Sequence, residues 1–221
     1  MASEISIRIV GVEPWDPPDD EPGRGMALRT TRGDVHVIVH NNQEARTTKG
    51  IIWVWGARGG FAGPAGGLYR DVAEDLKDEI TSVRIDYRLP NNVQECVMDA
   101  LVGVSFLAGA GHSEIALVGH SFGGAVVIAA APYSEDVKAV VALSSQTFGA
   151  RRADKVSPRP LLLAHGGRDT RLPPYCSEQI YSWAKQPKEL VLYPGAEHGL
   201  MECAEELREM LADWLRNNLG L

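Results

Sequence analysis

The chain alternates two hydrophobic periods. EISIRIVGV (residues 4–12) places apolar residues between charged ones, which predicts a half-buried strand. Residues 13–32, EPWDPPDDEPGRGMALRTTR, are rich in Pro, Asp and Gly; they predict a loop, a candidate for mobility. DVHVIVHN (34–41) predicts a second strand, and the unbroken apolar run IIWVW (51–55) a third, buried on both faces. After the glycine-rich turn ARGGFAGPAGG (57–67) the period changes. Leu68, Val72, Leu76 and Ile80 stand four apart, along one face of a helix. SVRIDY (82–87) is the next predicted strand. NNVQECVMDALVGVSFLAGAG (91–111) is a long helix, with Asn91 or Asn92 as N-cap and Gly111 near its end. EIALVG (114–119) is a strand, and FGGAVVIAAAP (122–132) a helix stopped at Pro132. VKAVVALSS (137–145), PLLLAHGG (160–167) and KELVLYPG (188–195) complete the strands. PYCSEQIYSWAKQ (174–186) and LMECAEELREMLADWLRNNL (200–219) complete the helices.

This alternation predicts an α/β fold: a mainly parallel eight-stranded sheet covered by helices on both faces. No helix separates the first two strands, so they are expected to pair antiparallel at one edge. No repeat or shift in composition divides the chain, and residues 1–221 are expected to form a single domain.

A formal charge of −7 argues against nucleic acid or an anionic membrane surface as a partner. Cys96, Cys176 and Cys203 show no metal-binding or disulfide spacing and are expected to be free thiols. The first residues lack a secretory pattern, and no apolar run is long enough to span a bilayer. A soluble cytoplasmic protein, monomer or homodimer, is the expectation, with no metal or organic cofactor.

The chemistry gathers around EIALVGHSFGGAVVIAAA (114–131). Gly119-His120-Ser121-Phe122-Gly123 fits G-x-S-x-G between a strand and a helix, a sharp turn that lifts the serine oxygen above the carboxyl end of the sheet. Serine needs a base. His198, in LYPGAEHGL between the last strand and the last helix, reaches the same sheet edge. His120 is expected to pack away from the reaction, and His165, at a strand end, to be structural or to support the reacting groups from behind. His36 and His40 sit on a strand, and His112 on a surface turn. Asp169, in HGGRDTRLPP, is positioned to orient the imidazole. Glu197 adjoins His198 and cannot easily fold back onto it, and Asp154 lies in a charged, exposed stretch. Two donors must face the oxyanion: the backbone amide of Phe122, and one from WGARGG, with Ala57 preferred over Arg58.

These motifs together resemble the α/β-hydrolase fold, and among its families the chain is most similar to small cap-less hydrolases of the dienelactone-hydrolase-like group. The matching residues are WGARGG, Asp86-Tyr87-Arg88, GHSFGG, HGGRDTRLPP and PGAEHGL, in the superfamily order Ser121, Asp169, His198. Dienelactone hydrolases proper use cysteine where this chain has Ser121, and their common His-Gly after the third strand is Trp55-Gly56 here. The stretch between VVALSS and PLLLAHGG is too short for a helical cap. The resemblance therefore implies an open site that admits varied or bulky acyl compounds, a small-molecule acyl substrate being the expected partner, with Arg58, Phe61, Gln146, Phe148, Arg171, Leu172 and Leu200 near the mouth. It implies a serine hydrolase of carboxylic esters or related acyl compounds. The same residues would serve a thioesterase, peptidase or acyltransferase, and a non-catalytic ligand-binding protein on this fold is the alternative of another class.

Overall fold

The computed structural model describes residues 6–18 and 21–221. The first two residues of the predicted 4–12 strand, and residues 19 and 20 of the predicted 13–32 loop, lie outside them. The remainder forms one sheet of nine strands in the order β1-β2-β3-β5-β4-β6-β7-β8-β9. These are β1 Ile9–Pro14, β2 Arg24–Thr30, β3 Gly33–His40, β4 Lys49–Val54, β5 Thr81–Asp86, β6 Glu114–His120, β7 Val137–Leu143, β8 Leu161–Gly166 and β9 Lys188–Tyr193. The helices are α1 Leu68–Leu76, α2 Val93–Gly109, α3 Phe122–Ala130, α4 Tyr175–Trp183 and α5 Ala204–Leu219.

The ninth strand is a correction to the sequence reading. Residues 24–30 were expected in a loop; instead they form β2, antiparallel to β1 on one side and to β3 on the other. The first and second predicted strands therefore do not pair directly. From β5 to β9 every pairing is parallel.

Side chains in the parallel strands alternate between two apolar layers, as a pleat requires. Ile52, Val54, Ile115 and Leu117 pack with Val104, Leu107, Val126 and Val127 of α2 and α3. Ile51, Trp53, Ala116 and Val118 pack on the other face with Leu68 and Val72 of α1 and Leu207, Leu211 and Leu215 of α5. Asn92 caps α2, its side chain accepting from the Glu95 amide at 3.2 Å. Ion pairs join α5 to α1 and to the turn that follows it, Arg208 with Asp75 at 2.6 Å and Arg216 with Glu79 at 2.9 Å.

Strand order reverses at β4. The chain leaves β4 for β5 on one side, then crosses to β6 on the other. A crevice at the carboxyl ends of β4 and β6 follows from that reversal, and it is where open α/β sheets bind ligands. Residues 144–160, between β7 and β8, carry only the short 3₁₀ turn Ala153–Lys155 and no cap. Among the described residues, no helix is long and apolar enough to cross a membrane.

Candidate active site

β6 ends at His120 and α3 begins at Phe122, so Ser121 alone makes the turn between them. Its backbone sits at φ 58°, ψ −118°, a strained setting for a residue with a side chain. Hydrogen bonds hold it there: its amide donates to the Leu143 carbonyl (2.8 Å), and its carbonyl accepts from Gly124 (3.1 Å) and Gln146 (3.3 Å). The turn also demands close backbone approach. A methyl group on Gly119 would lie 2.1 Å from the Gly123 oxygen, and one on Gly123 would lie 2.3 Å from the Trp55 oxygen.

Three separate loops meet above this turn. Ser121 Oγ is 3.0 Å from His198 Nε2, and His198 Nδ1 is 2.6 Å from Asp169 Oδ2. A carboxylate only accepts, so Nδ1 carries the ring proton and Nε2 is free to take the Ser121 hydroxyl proton. Asp169 is itself held on both oxygens. Oδ1 accepts from the amides of Arg171 (2.9 Å) and Leu172 (2.8 Å), and Oδ2 also faces His165 Nε2 at 3.1 Å. Burial alone would raise its pKa; the Leu172 amide, His198 and the Arg171 amide outweigh burial and hold it below the ordinary carboxylate value.

The other histidines divide by surroundings. His165 is fully buried; its Nε2 faces two acceptors, Asp169 and the Leu172 carbonyl (2.9 Å), and its Nδ1 meets the Ser177 hydroxyl at 2.6 Å. Burial lowers its pKa, so it is a neutral donor to the acid loop. His120 is buried, its ring 4.9 Å from that of His198, and it donates from Nε2 to the His198 carbonyl. Burial pushes its pKa down to about 4. His36 stacks on Trp15, and His40 lies buried against Glu74 at 2.6 Å. His112 was expected on a surface turn; the turn after α2 folds it inwards instead, and burial lowers its pKa.

Neither competing acid reaches His198. Glu197 accepts from the amide (3.1 Å) and hydroxyl (3.2 Å) of Thr170, tying the histidine loop to the acid loop, and Asp154 pairs with Lys155. Phe122 opens α3, so its amide is among those at a helix start with no acceptor inside the helix. Ala57 is exposed on the loop after β4, which passes Ser121 so closely that a methyl on Gly56 would lie 3.9 Å from its Cβ.

Of the residues expected near the mouth, Arg58, Phe148 and Arg171 are exposed, and Phe61 and Leu172 are half-buried. Gln146 turns its side-chain nitrogen onto the Phe148 carbonyl at 2.8 Å, which leaves its oxygen for other contacts. Leu200 is not at the mouth. Its left-handed backbone (φ 56°) directs it into the α1/α5 layer, where it is fully buried. The three cysteines are free; Cys96 is buried, and Cys176 and Cys203 are half-buried. Among the described residues no group of three or more His, Cys, Asp or Glu is arranged to hold a metal ion.

Residues 32–213 match the model of the dienelactone hydrolase family. Among solved structures, the chain is similar to Est1E from Butyrivibrio proteoclasticus: TM-score 0.76, 18% identity, 90% of this chain and 100% of that one covered. It is also similar to a dienelactone hydrolase from Anabaena variabilis: TM-score 0.71, 20% identity, 85% and 94% covered. At such identities the likeness shows the fold, which is that of the α/β hydrolases. A stretch of 43 residues is 56% identical to the uncharacterized protein YfhR of Escherichia coli K12 and spans 20% of this chain and 15% of that protein.

Proposed function

The chain belongs to the dienelactone hydrolase family, and from that premise we propose that it is a serine hydrolase that cleaves carboxylic esters or related acyl compounds through an acyl-enzyme. The observation that carries this reading is the unbroken hydrogen-bonded chain Ser121–His198–Asp169 at 3.0 and 2.6 Å. His198 takes the Ser121 proton as the oxygen attacks the acyl carbonyl. Asp169 keeps the imidazole in the required tautomer and stabilises its charged form. Because four donors surround it, that carboxylate stays ionised as the imidazolium forms.

The tetrahedral oxyanion is held by the amides of Phe122 and Ala57, the first at a helix N-terminus whose dipole favours negative charge. His198 then returns its proton to the leaving alcohol, and water attacks the acyl-enzyme by the same relay. Arg58, Gln146 and Leu172 line the open approach. Serine in place of the cysteine of dienelactone hydrolases proper gives a poorer nucleophile at rest, which makes the His198–Asp169 pair indispensable.

The test is a panel of nitrophenyl esters, acyl-thioesters and peptide amides, with Ser121→Ala as the blank. Ester turnover should fall by about 10⁶-fold in the variant, and labelling by a fluorophosphonate should disappear with it. Equal turnover by the two proteins, or a wild-type serine inert to the probe, would refute the reading.

A further inference from the structure

Two consecutive carbonyls at the end of β4 each receive a buried phenol. The Tyr69 hydroxyl donates to the Val54 oxygen at 3.0 Å, and the Tyr87 hydroxyl to the Trp55 oxygen at 3.2 Å. The two rings come from opposite layers. Tyr69 lies in the first turn of α1, packed at 5.0 Å on Trp53, and Tyr87 follows β5 and meets the Phe122 ring edge-on at 6.0 Å. A phenylalanine at either position would fill the same space and leave the carbonyl without its donor.

Those two oxygens are also the atoms on which the elbow rests. A methyl group on Gly123 would sit 2.3 Å from the Trp55 oxygen and 2.6 Å from the Val54 oxygen. Gly123 is the residue after Phe122. The strand end that leads to Ala57 and the helix start that carries Phe122 therefore touch at the carbonyls the phenols hold. The peptide plane is rigid, so the direction of a carbonyl fixes the N–H on its other side. The Gly56 oxygen accepts from Gly59 at 3.0 Å, which aims the Ala57 N–H the opposite way. Asp86 Oδ1 secures the far side of the turn, accepting from the Gly60 amide at 2.6 Å.

We infer that Tyr69 and Tyr87 are positioning residues for the oxyanion hole, keeping the Ala57 amide in register with that of Phe122. The inference rests on the hydrolytic reading above. Neither phenol touches substrate. Both remain protonated across the working pH range, because burial raises their pKa values well above the usual tyrosine value.

The experiment compares Tyr69→Phe, Tyr87→Phe and the double variant with the wild-type protein on one nitrophenyl ester, kcat being normalised to sites titrated by a fluorophosphonate. Each single change should lower kcat about 10-fold, with KM held within about 2-fold, since a misaimed donor weakens transition-state binding selectively. Affinity for a trifluoromethyl ketone, which forms a tetrahedral oxyanion on the serine, should fall by the same factor as kcat/KM. A role in packing alone predicts a lower melting temperature with unchanged kcat per titrated site; that result, with wild-type turnover normal, would overturn this inference and leave the hydrolytic reading standing. A wild-type protein with neither turnover nor probe labelling would overturn both.

Discussion

His120 donates its Nε2 proton to the carbonyl oxygen of His198 across 2.9 Å, with the two rings 4.9 Å apart. The bond anchors the histidine loop from below, and its donor is a buried, neutral imidazole. Charging that ring is resisted in the fold, where its pKa is about 4, and not in the unfolded chain, where it is near 6.5. The unfolded state therefore binds the proton first as pH falls. Stability is full above about pH 6.5 and declines towards pH 4, by roughly 3 kcal/mol from this group at most. His40, His112 and His165 are shifted in the same direction. Urea midpoints at pH 7 and pH 5 should differ accordingly, and His120→Gln should shrink the gap. Identical gaps in the two proteins would show that His120 does not supply it.

Asp169→Asn should leave the fold in place and reduce kcat by about 10⁴-fold. An amide can accept from Arg171 and Leu172 on its oxygen, but its NH₂ then confronts the ring protons of both His198 and His165. The His198 proton is driven to Nε2, where it blocks Ser121. Steady-state kinetics and the rate of fluorophosphonate labelling should fall together; labelling at the wild-type rate would contradict the relay.

Gly119→Ala places a methyl 2.1 Å from a backbone oxygen of the elbow, an atom that cannot swing aside. Overpacking of this kind destabilises by about 1–3 kcal/mol. Gly109, in the last turn of α2, meets nothing within 4 Å and has ordinary helical backbone. Gly109→Ala should be neutral or stabilising by up to about 1 kcal/mol. Denaturant titration of the pair tests whether the elbow glycines are required by contact.

Arg84 is fully buried in β5, paired with Glu21 at 2.7 Å and bonded to His40 Nε2 at 3.0 Å and to the Phe61 and Pro22 carbonyls at 3.2 Å. Arg84→Met leaves those acceptors and a carboxylate without a partner. The expected loss is about 3–5 kcal/mol by chemical unfolding. A cycle with Glu21→Gln should show strong coupling; additive effects would mean that water replaces the pair.

Uniformly apolar strands and a serine set among glycines are strong local signals, so the parallel half of the sheet and the Ser121 turn were legible in the sequence. The errors fall where distant contacts override local pattern. RGMALRT follows a run of Pro and Asp, and Gly25 and Arg29 break its alternation; it becomes a strand because β1 and β3 pair with it on both sides. Gly25 is even required there, since a methyl would lie 2.2 Å from the Trp15 oxygen. Leu200 and His112 read as surface residues until a left-handed turn and the packing of the α2 end bring them inside. The phenol contacts of Tyr69 and Tyr87 span 15 and 32 residues, and only the Asp86-Tyr87-Arg88 motif hinted at one of them.

His198 rides on the loop after β9, an edge strand, whereas Ser121 follows β6, deep within the sheet. Five of the six residues of β9 are only half-buried or exposed, so its ladder is the part of the parallel region most open to fraying. Loosening that border would carry off the base while the serine's own surroundings endure. Rising urea should therefore silence the proposed ester cleavage before circular dichroism registers a change, so that activity gives an early gauge of disorder at the rim.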